Sequence, residues 1–289
     1  MVTVLNRLQE PQQVLDEKFK TNKIEVQSIH FSYEKIKILN EINLTVKESE
    51  FLVFMGPSGC GKSTLLRLIA GLEQPDGGDI VVNGNSIQKI HPDCSVVFQD
   101  YSLFPWLTAR DNIILALKQR NQNVNKKELE HIAEDYLSLV NLGHAVKKYP
   151  GQMSGGMKQR AAIARALSYG ADLLLMDEPF GALDPVTRVQ LQDLLLRISR
   201  EQNRTIVFVT HDAEEAIYLA DRIIMFLPGA GGAKTVNIEI PFSRKNMNRK
   251  QLFASKEFIH FREHLLNMMN KEILNNLANQ TVLQDGAGI

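Results

Sequence analysis

Apolar residues fall in short blocks along most of the chain, and their spacing predicts strands alternating with helices. The early segments KIEVQSIHFSY and INLTVKESEFLVFMG are β-branched and partly alternating, which is typical of strands. Within the second, FLVFMG is apolar throughout, as expected for a strand buried on both faces. GDIVVNG predicts a short strand closed by an Asn-Gly turn, and CSVVFQ predicts another apolar strand.

Helical patterns occupy the middle of the chain. LLRLIAGLEQ predicts a helix that follows FLVFMG after the eight residues PSGCGKST. NKKELEHIAEDYLSLVNLG predicts a longer one, with Asn125 as N-cap, Glu128 three residues later and Gly143 as its stop. Its apolar residues share one helical face: Leu129, Ile132, Ala133, Tyr136, Leu137 and Val140.

Three further apolar blocks, in DLLLMDEP, TIVFVTHD and RIIMFL, predict buried strands with helices between and after them. Strands alternating with helices imply a parallel sheet covered on both faces, so the predicted fold class is α/β. The helical stretch at about residues 100–168 interrupts this alternation. We interpret it as a helical subdomain inserted into the sheet.

The two ends of the chain carry weaker patterns. Residues 1–22 are polar and lack periodicity, which predicts an N-terminal tail. The main domain then covers 23–228, and 229–289 forms a C-terminal extension with a possible edge strand in AKTVNIEIPF. A helix is expected within 248–279, packed on its own domain through mixed-face apolar residues: Phe258, Phe261, Leu265, Met268 and Met269. A partner-binding or regulatory role for this helix is the alternative.

Composition narrows the location and the partners. Lys plus Arg and Asp plus Glu both number 33, so net charge gives no indication of nucleic acid or an anionic membrane. The two cysteines, Cys60 and Cys94, make neither a disulfide framework nor a zinc-like spacing. No stretch approaches the ~18 apolar residues of a membrane span, and no secretory leader is visible. We expect a cytoplasmic protein that reaches any membrane through a partner.

The octet GPSGCGKS, residues 56–63, fits the pattern G-x-x-x-x-G-K-[ST] between a predicted strand and a predicted helix. Glycines allow a tight turn that presents backbone N–H groups to phosphate oxygens, Lys62 adds positive charge, and the Ser63 hydroxyl suits Mg²⁺. Cys60 is interpreted as a small side chain that fits, with a helix-lowered pKa as the alternative hypothesis. The predicted phosphate-binding residues are Gly56, Pro57, Ser58, Gly59, Cys60, Gly61, Lys62, Ser63 and Thr64.

Polar side chains follow three of the predicted strands. Asp177 and Glu178 end DLLLMDE, where one carboxylate can serve Mg²⁺ and the next can accept a proton from attacking water. His211 ends TIVFVTH and could orient water or sense the γ-phosphate. Gln99 ends CSVVFQ and suits Mg²⁺ or water. The sequence therefore predicts catalytic Glu178, His211 and Gln99, with Ser63, Gln99 and Asp177 at the metal.

A second possible phosphate cradle lies in QMSGGMKQRAAIARAL, where Ser154, Gly155 and Gly156 lead into a predicted helix. The ordered set GPSGCGKST, VVFQD, MSGGMKQR, LLLMDEP, GALD and VTHD resembles the ATPase subunits of ATP-binding cassette (ABC) transporters, over about residues 23–228. The resemblance implies a P-loop NTPase (RecA-like) parallel-sheet core, an antiparallel β subdomain and the inserted helical subdomain. It also implies ATP and Mg²⁺.

The resemblance explains the two cradles by a head-to-tail dimer. ATP held by one loop would be capped by Ser154, Gly155 and Gly156 of the other protomer. Tyr33 stands where the family stacks an aromatic ring on adenine, and Asp184 in GALD stands at the dimer interface. The family's usual L-S-G-G-Q is replaced at its first and last places by Met153 and Met157.

MSGGM and FQDYSLFPWLTARDNI are similar to the branch that imports nitrate, sulfonates, taurine and related anions. There the segment opened by Gln99 receives a membrane subunit, and Phe104–Leu107 supplies an apolar patch. Burial of Trp106 in the helical subdomain is the alternative. Implied partners are permease subunits, a second copy or a homologous ATPase, and indirectly a solute-binding protein, without nucleic acid. The expected location is peripheral, on the cytoplasmic face of the plasma membrane.

Two other classes compete with a transport ATPase. ABC-type ATPases of ribosomes or DNA ends carry two cassettes or long coiled coils, and neither pattern occurs here. A non-hydrolysing regulator would be expected to replace Lys62, Glu178 or His211, and all three are present. The sequence therefore favours an ATP-hydrolysing importer subunit, whose solute it does not name.

Overall fold

The structure, a computed structural model, describes residues 21–120, 124–229, 231–243 and 247–285, with side chains described up to residue 271. Nearly all of the predicted N-terminal tail therefore lies outside the described residues. The chain divides into two compact units, which we name after their place in the sequence. The split unit consists of Asn22–Ile90 and Val207–Ile289, and the central unit includes His91–Ile206.

The strands follow the predicted apolar blocks. Their bounds are β1 Asn22–Tyr33, β2 Ile36–Lys47, β3 Phe51–Met55, β4 Gly77–Val82, β5 Asn85–Ser86, β6 Cys94–Val97, β7 Leu173–Asp177, β8 Thr205–Thr210, β9 Arg222–Leu227 and β10 Lys234–Glu239. Strand β8 begins in the central unit and ends in the split unit.

The split unit contains two sets of paired strands. Strands β2, β1, β4 and β5 form an antiparallel sheet in that order. Strand β3 pairs in parallel with β9, and β10 pairs antiparallel with the other edge of β9. All five residues of β3 are buried, as its unbroken apolar sequence predicts. The predicted strand in AKTVNIEIPF is confirmed as β10.

Eight helices connect or follow the strands among the described residues. Their bounds are α1 Lys62–Ile69, α2 Ala109–Arg120, α3 Lys126–Leu139, α4 Gly155–Tyr169, α5 Pro185–Glu201, α6 Ala213–Leu219, α7 Arg249–Phe253 and α8 Lys256–Asp285. Short 3₁₀ turns occur at Gly143–Ala145 and Pro150–Gln152. Within the described ranges, none of these helices combines the length and apolar character needed to cross a bilayer.

The central unit carries α2, α3 and α4 between its parallel strands β6 and β7. The predicted N-cap of α3 is confirmed, since Asn125 accepts a hydrogen bond from the backbone N–H of Glu128 at 3.0 Å. The predicted stop at Gly143 is wrong, because α3 ends at Leu139. Asn141 adopts φ 58°, and the N–H of Leu142 bonds back to the Leu137 carbonyl, so the turn closes earlier.

The C-terminal extension packs on its own unit, as expected. Phe258 and Leu265 of α8 are 1% and 0% exposed. The Phe253 ring of α7 lies 4.5 Å from the Phe258 ring and 5.7 Å from the Tyr218 ring of α6. The extension is thus attached to the helix that follows His211, one of the predicted site residues.

Candidate functional site

The predicted phosphate loop connects β3 to α1 in the split unit. At Gly56, φ is 151° and an added Cβ would lie 2.3 Å from the backbone oxygen of Phe226, so no side chain fits. Gly59 has φ 80°, and an added Cβ there would meet nothing within 4 Å. The loop therefore packs tightly against β9 at Gly56 and has free space beside Gly59. That shape leaves room for an anion beside backbone N–H groups.

Lys62 is the first residue of α1 and is only 4% exposed. Its ammonium group donates to the carbonyl oxygens of Gly56 at 2.9 Å and Pro57 at 2.6 Å. The N-cap of α1 is Gly61, which offers no side chain to the first turn. A buried positive charge and a helix N-terminus without a side-chain cap fit a polyphosphate group.

The Cys60 thiol lies inside this loop and donates to the Pro57 carbonyl at 2.8 Å. Burial raises its pKa above the ordinary value, and the opposing effect of the nearby Lys62 charge is smaller. The hypothesis of a lowered pKa is therefore wrong in direction. The thiol fits the structural interpretation, in which a small side chain fills the loop.

Tyr33, the last residue of β1, has an exposed ring with a fixed hydroxyl end. Its Oη donates to the carboxylate of Glu73, at 2.9 and 2.8 Å from the two oxygens. The Phe31 ring meets it edge to face at 4.9 Å. Sequence reasoning selected Tyr33 but missed Glu73, because a single acidic residue in a turn carries no pattern.

His211 is exposed between β8 and α6 in the split unit, and the backbone around it is well fixed. Asp212 accepts from the N–H groups of Glu214 at 2.8 Å and Glu215 at 3.2 Å, as an N-cap. The Thr210 hydroxyl donates to the buried Glu215 carboxylate at 2.7 Å. The loop, Tyr33 and His211 thus belong to one unit.

The central unit carries the other polar strand ends. Strands β6 and β7 run in parallel, with Val97 opposite Met176. Asp177 is the last residue of β7 and Gln99 lies two residues after β6, so both stand at neighbouring carboxyl ends. Asp177 is buried, whereas Gln99 is exposed. Glu178 is half-buried and adopts φ 45°, a left-handed conformation that is costly for a residue of its size.

The Ser-Gly-Gly turn begins α4, as predicted. Ser154 is its N-cap and accepts from the Met157 N–H at 3.3 Å. An added Cβ at Gly155 would lie 3.1 Å from the Tyr101 hydroxyl, and one at Gly156 would lie 3.1 Å from the Ala182 carbonyl. Nearby residues of the same unit therefore leave little room for a side chain at either glycine. Of the two unusual methionines, Met153 is buried and Met157 is half-buried.

Asp184 is the N-cap of α5 and accepts from the Thr187 N–H at 3.0 Å. Hydrogen bonds from the Thr187 side chain and then from its backbone lower the Asp184 pKa. The Arg160 guanidinium of α4 lies close enough for its charge to interact with Asp184. Sequence reasoning missed Arg160, which is one of several basic residues in its helix.

Trp106 is 69% exposed, so the alternative that placed it in a core is wrong. The Phe104 ring lies 5.5 Å from it and is 36% exposed. The fully buried Asn112 side chain holds the loop beneath them, since it bonds to the N–H and carbonyl of Phe104 and to the carbonyls of Leu107 and Thr108. An exposed apolar pair on a fixed loop is typical of an interface.

A glycine-rich loop between a buried parallel strand and a helix, with a buried lysine inside it, defines a P-loop nucleotide-binding protein. Residues 39–181 match the family model described as ABC transporter. The chain is 44% identical over 231 residues to the nitrate import ATP-binding protein NrtD of Synechococcus elongatus, covering 80% of this chain and 84% of that protein. This protein therefore belongs to the ABC transporter family, as an ATP-binding cassette.

Other relatives agree with that assignment. The bicarbonate transport ATP-binding protein CmpC of Synechococcus elongatus is 51% identical over 212 residues, which are 73% of this chain and 32% of CmpC. The chain thus spans about a third of the length of the CmpC relatives it matches. Among solved structures, the dimeric ATP-binding cassette MJ0796 in a post-hydrolysis state with ADP and Pi matches with TM-score 0.70 and 31% identity, over 76% of this chain and all of MJ0796. The predicted fold class is confirmed.

Proposed function

We propose that this protein is the ATP-hydrolysing subunit of an importer for a small anion. The observation that carries the proposal is the buried ammonium group of Lys62 on the carbonyls of a complete phosphate loop. The named relatives serve nitrate and bicarbonate import. Nitrate, bicarbonate or a similar oxyanion is accordingly the solute class, with sulfonates and taurine as the other candidates from the sequence.

In this function the loop holds the phosphates of ATP. Its N–H groups and Lys62 bind phosphate oxygens, and the Tyr33 ring stacks on the base. Ser63, Gln99 and Asp177 hold Mg²⁺ through a hydroxyl, an amide and a carboxylate, which are the oxygen ligands this ion prefers. When bound, Mg²⁺ neutralises charge on the transferred phosphoryl group.

Hydrolysis requires a water molecule to be aligned and to lose a proton. Glu178 takes that proton as general base. Its backbone, held at φ 45°, directs the carboxylate differently from an ordinary strand residue. His211 contacts the γ-phosphate or the water from a segment fixed by Thr210 and Asp212.

Two copies, or one copy and a homologous ATPase, act as a head-to-tail dimer. Ser154, Gly155 and Gly156 at the N-terminus of α4 face the ATP held by the partner's loop, and Asp184 lies at the interface. ATP stabilises this dimer because it contacts both protomers. Loss of the γ-phosphate removes those contacts and shifts the population towards separation.

The partners outside the dimer are permease subunits and, indirectly, a solute-binding protein. The Phe104–Leu107 patch is the surface offered to the permease, which holds the ATPase on the cytoplasmic face of the membrane. In a test, Trp106→Ala should leave the ATPase rate of the isolated protein unchanged and lower its recovery with membranes that contain the permease. Equal recovery of both forms would remove Trp106 from the interface.

Phosphate release from ATP tests the catalytic assignment. Lys62→Ala should abolish turnover, whereas Lys118→Ala, which removes an exposed lysine of α2, should not change it. Light scattering then tests the dimer with Glu178→Gln, which keeps the shape of the base but cannot take the proton. We expect a dimer with Mg-ATP and a monomer with Mg-ADP. Normal turnover of Lys62→Ala would overturn the proposed function.

A further inference from the structure

Tyr33 combines an exposed ring with a tethered hydroxyl. The ring is 42% exposed, and one flank packs against the buried Phe31 at an interplanar angle of 88°. At the opposite end, Oη donates to the Glu73 carboxylate, whose two oxygens lie at 2.9 and 2.8 Å. A hydrogen bond to a charged acceptor is stronger than a neutral one. The ring is thus held at two points while part of it faces solvent.

Glu73 is in turn connected to the phosphate loop through α1. Arg67, on the last turn of α1, lies 3.6 Å from the Glu73 carboxylate. Lys62 is the first residue of the same helix, which at 1.5 Å per residue is about 12 Å long. One short helix therefore carries the phosphate loop at its start and an anchor for Glu73 at its end.

The hydroxyl of Tyr33 stays a donor across the neutral pH range. Burial raises its pKa above the ordinary value, and the hydrogen bond and negative charge of Glu73 raise it further. Hydrogen bonding from Arg67 and Thr64 acts in the opposite direction and is smaller. The raised pKa thus keeps the Tyr33 hydroxyl able to donate to Glu73 at neutral pH.

We propose that Glu73 is a positioning residue for the nucleotide base, because it fixes the Tyr33 ring as a ready-made stacking surface. This inference rests on the proposed function, in which Tyr33 stacks on adenine. A ring that is already oriented loses less side-chain freedom when the base binds, and the difference appears as affinity. In this role Glu73 acts through Tyr33, so its effect concerns ligands that carry a base, whereas its contact with Arg67 would act on α1.

Calorimetry with two ligands separates this role from a general structural one. Mg-ADP and inorganic pyrophosphate both place two phosphates in the loop, but only Mg-ADP has a base. Glu73→Ala should raise the dissociation constant of Mg-ADP roughly three- to tenfold and leave that of pyrophosphate unchanged. Glu48→Ala, which removes an exposed carboxylate from a turn of the same unit, is the matched control and should change neither.

Further variants test whether the effect passes through the tether. Tyr33→Phe keeps the ring but loses the hydroxyl, so it should weaken Mg-ADP binding by the same factor as Glu73→Ala. The double variant should show no additional loss, because both changes remove one interaction. Glu73→Gln keeps an acceptor oxygen and should recover part of the affinity.

Three outcomes would overturn the inference. Unchanged Mg-ADP binding in Glu73→Ala would show that the tether does not matter. Equal weakening of Mg-ADP and pyrophosphate would mean that Glu73 acts on the phosphate loop through α1. Additive losses in the double variant would separate Glu73 from Tyr33. Failure of the proposed function itself is distinct, since Lys62→Ala would then bind both ligands as the wild type does.

Discussion

Arg262 on α8 donates from Nη1 to Oε1 of Glu214 on α6, at 2.6 Å. Glu214 lies three residues after His211, so this ion pair connects the C-terminal extension to the helix that follows the proposed γ-phosphate contact. The side chains are 36% and 44% exposed, and exposed ion pairs contribute at most about 1 kcal/mol. The apolar contacts beneath the pair must therefore hold α8 in place.

Stability measurements on two residues one turn apart in α8 compare the contribution of the apolar contacts with that of the ion pair. Phe258→Ala removes a ring that is 1% exposed and stacked on Phe253, and should lower the free energy of unfolding by about 3–5 kcal/mol. Arg262→Ala should lower it by about 1 kcal/mol or less. Urea denaturation followed by circular dichroism measures both. A small effect of Phe258→Ala would show that α8 is not packed on its unit in solution.

Asn112 supports a loop that carries Trp106, the one tryptophan of the chain. Its fully buried amide makes four hydrogen bonds to loop backbone groups, including one from the Phe104 N–H at 2.9 Å. Asn112→Ala removes the printed partner of the Phe104 N–H and of the Leu107 carbonyl, whereas the Phe104 and Thr108 carbonyls keep backbone donors. The free energy of unfolding should fall by about 1–3 kcal/mol. The exposed Gln119→Ala on the same helix is the control. Equal stability of the two variants would contradict the supporting role.

Sequence patterns predicted the parts of this protein that depend on local order. The apolar run of β3, the octet ending in Lys62 and Ser63, the N-cap Asn125 and the helix start after Ser154 are each read from neighbouring residues. The buried strands accordingly lie where the pattern placed them. The helix predicted over LLRLIAGLEQ instead spans Lys62–Ile69, so it begins inside the phosphate loop and ends before Gly71.

Features that depend on distant residues could not be predicted in this way. The sequence favoured an exposed Trp106 but not the contacts that hold its loop, in which the Arg165 guanidinium bonds to the Ser102 carbonyl from 63 residues away. The Cys60 pKa is shifted in the opposite direction from the hypothesis, because burial outweighs the Lys62 charge and the hydrogen bonds to the thiol. Tertiary burial and long-range hydrogen bonds do not produce a regular spacing of residue types, so sequence patterns do not reveal them.

The buried Cys94 gives the protein a pH-dependent stability at alkaline pH. Burial raises the pKa of its thiol from 9.0 to about 12. Below pH 9 the thiol is protonated in both folded and unfolded chains, so its contribution to stability is fully present. Between pH 9 and about 12 the unfolded chain loses the proton first, and stability falls. Cys94→Ala should therefore lose less stability than the wild type over this range.

Urea midpoints at several alkaline pH values measure this difference. Lysine and tyrosine side chains titrate in the same range, but they are common to both proteins and cancel in the comparison. The quantity of interest is the change with pH in the difference between wild type and Cys94→Ala. A difference that stays constant from pH 8 to pH 11 would mean that the folded thiol ionises near its ordinary pKa.

Glu178 stores backbone strain at the proposed catalytic position. It adopts φ 45°, which costs an L-residue about 1–2 kcal/mol relative to its usual conformations, whereas glycine adopts it readily. Glu178→Ala and Glu178→Gly both remove the proposed base, so both should lose ATP hydrolysis. Their stabilities should differ, with Glu178→Gly as stable as Glu178→Ala or more stable by up to about 1 kcal/mol, although glycine also adds freedom to the unfolded chain.

The same two substitutions at Glu130 provide a control, because there the glycine variant should be less stable than the alanine variant. Glu130 lies inside α3, where glycine is less favourable than alanine by about 1 kcal/mol. Thermal unfolding of the four variants gives the difference in stability between the glycine and alanine variants at each position. Only at Glu178 should the glycine variant be as stable as the alanine variant or more stable. If glycine lowers stability equally at both positions, Glu178 is not strained in solution. Its carboxylate would then have to be aimed by side-chain contacts, because the backbone conformation at φ 45° would no longer account for its direction.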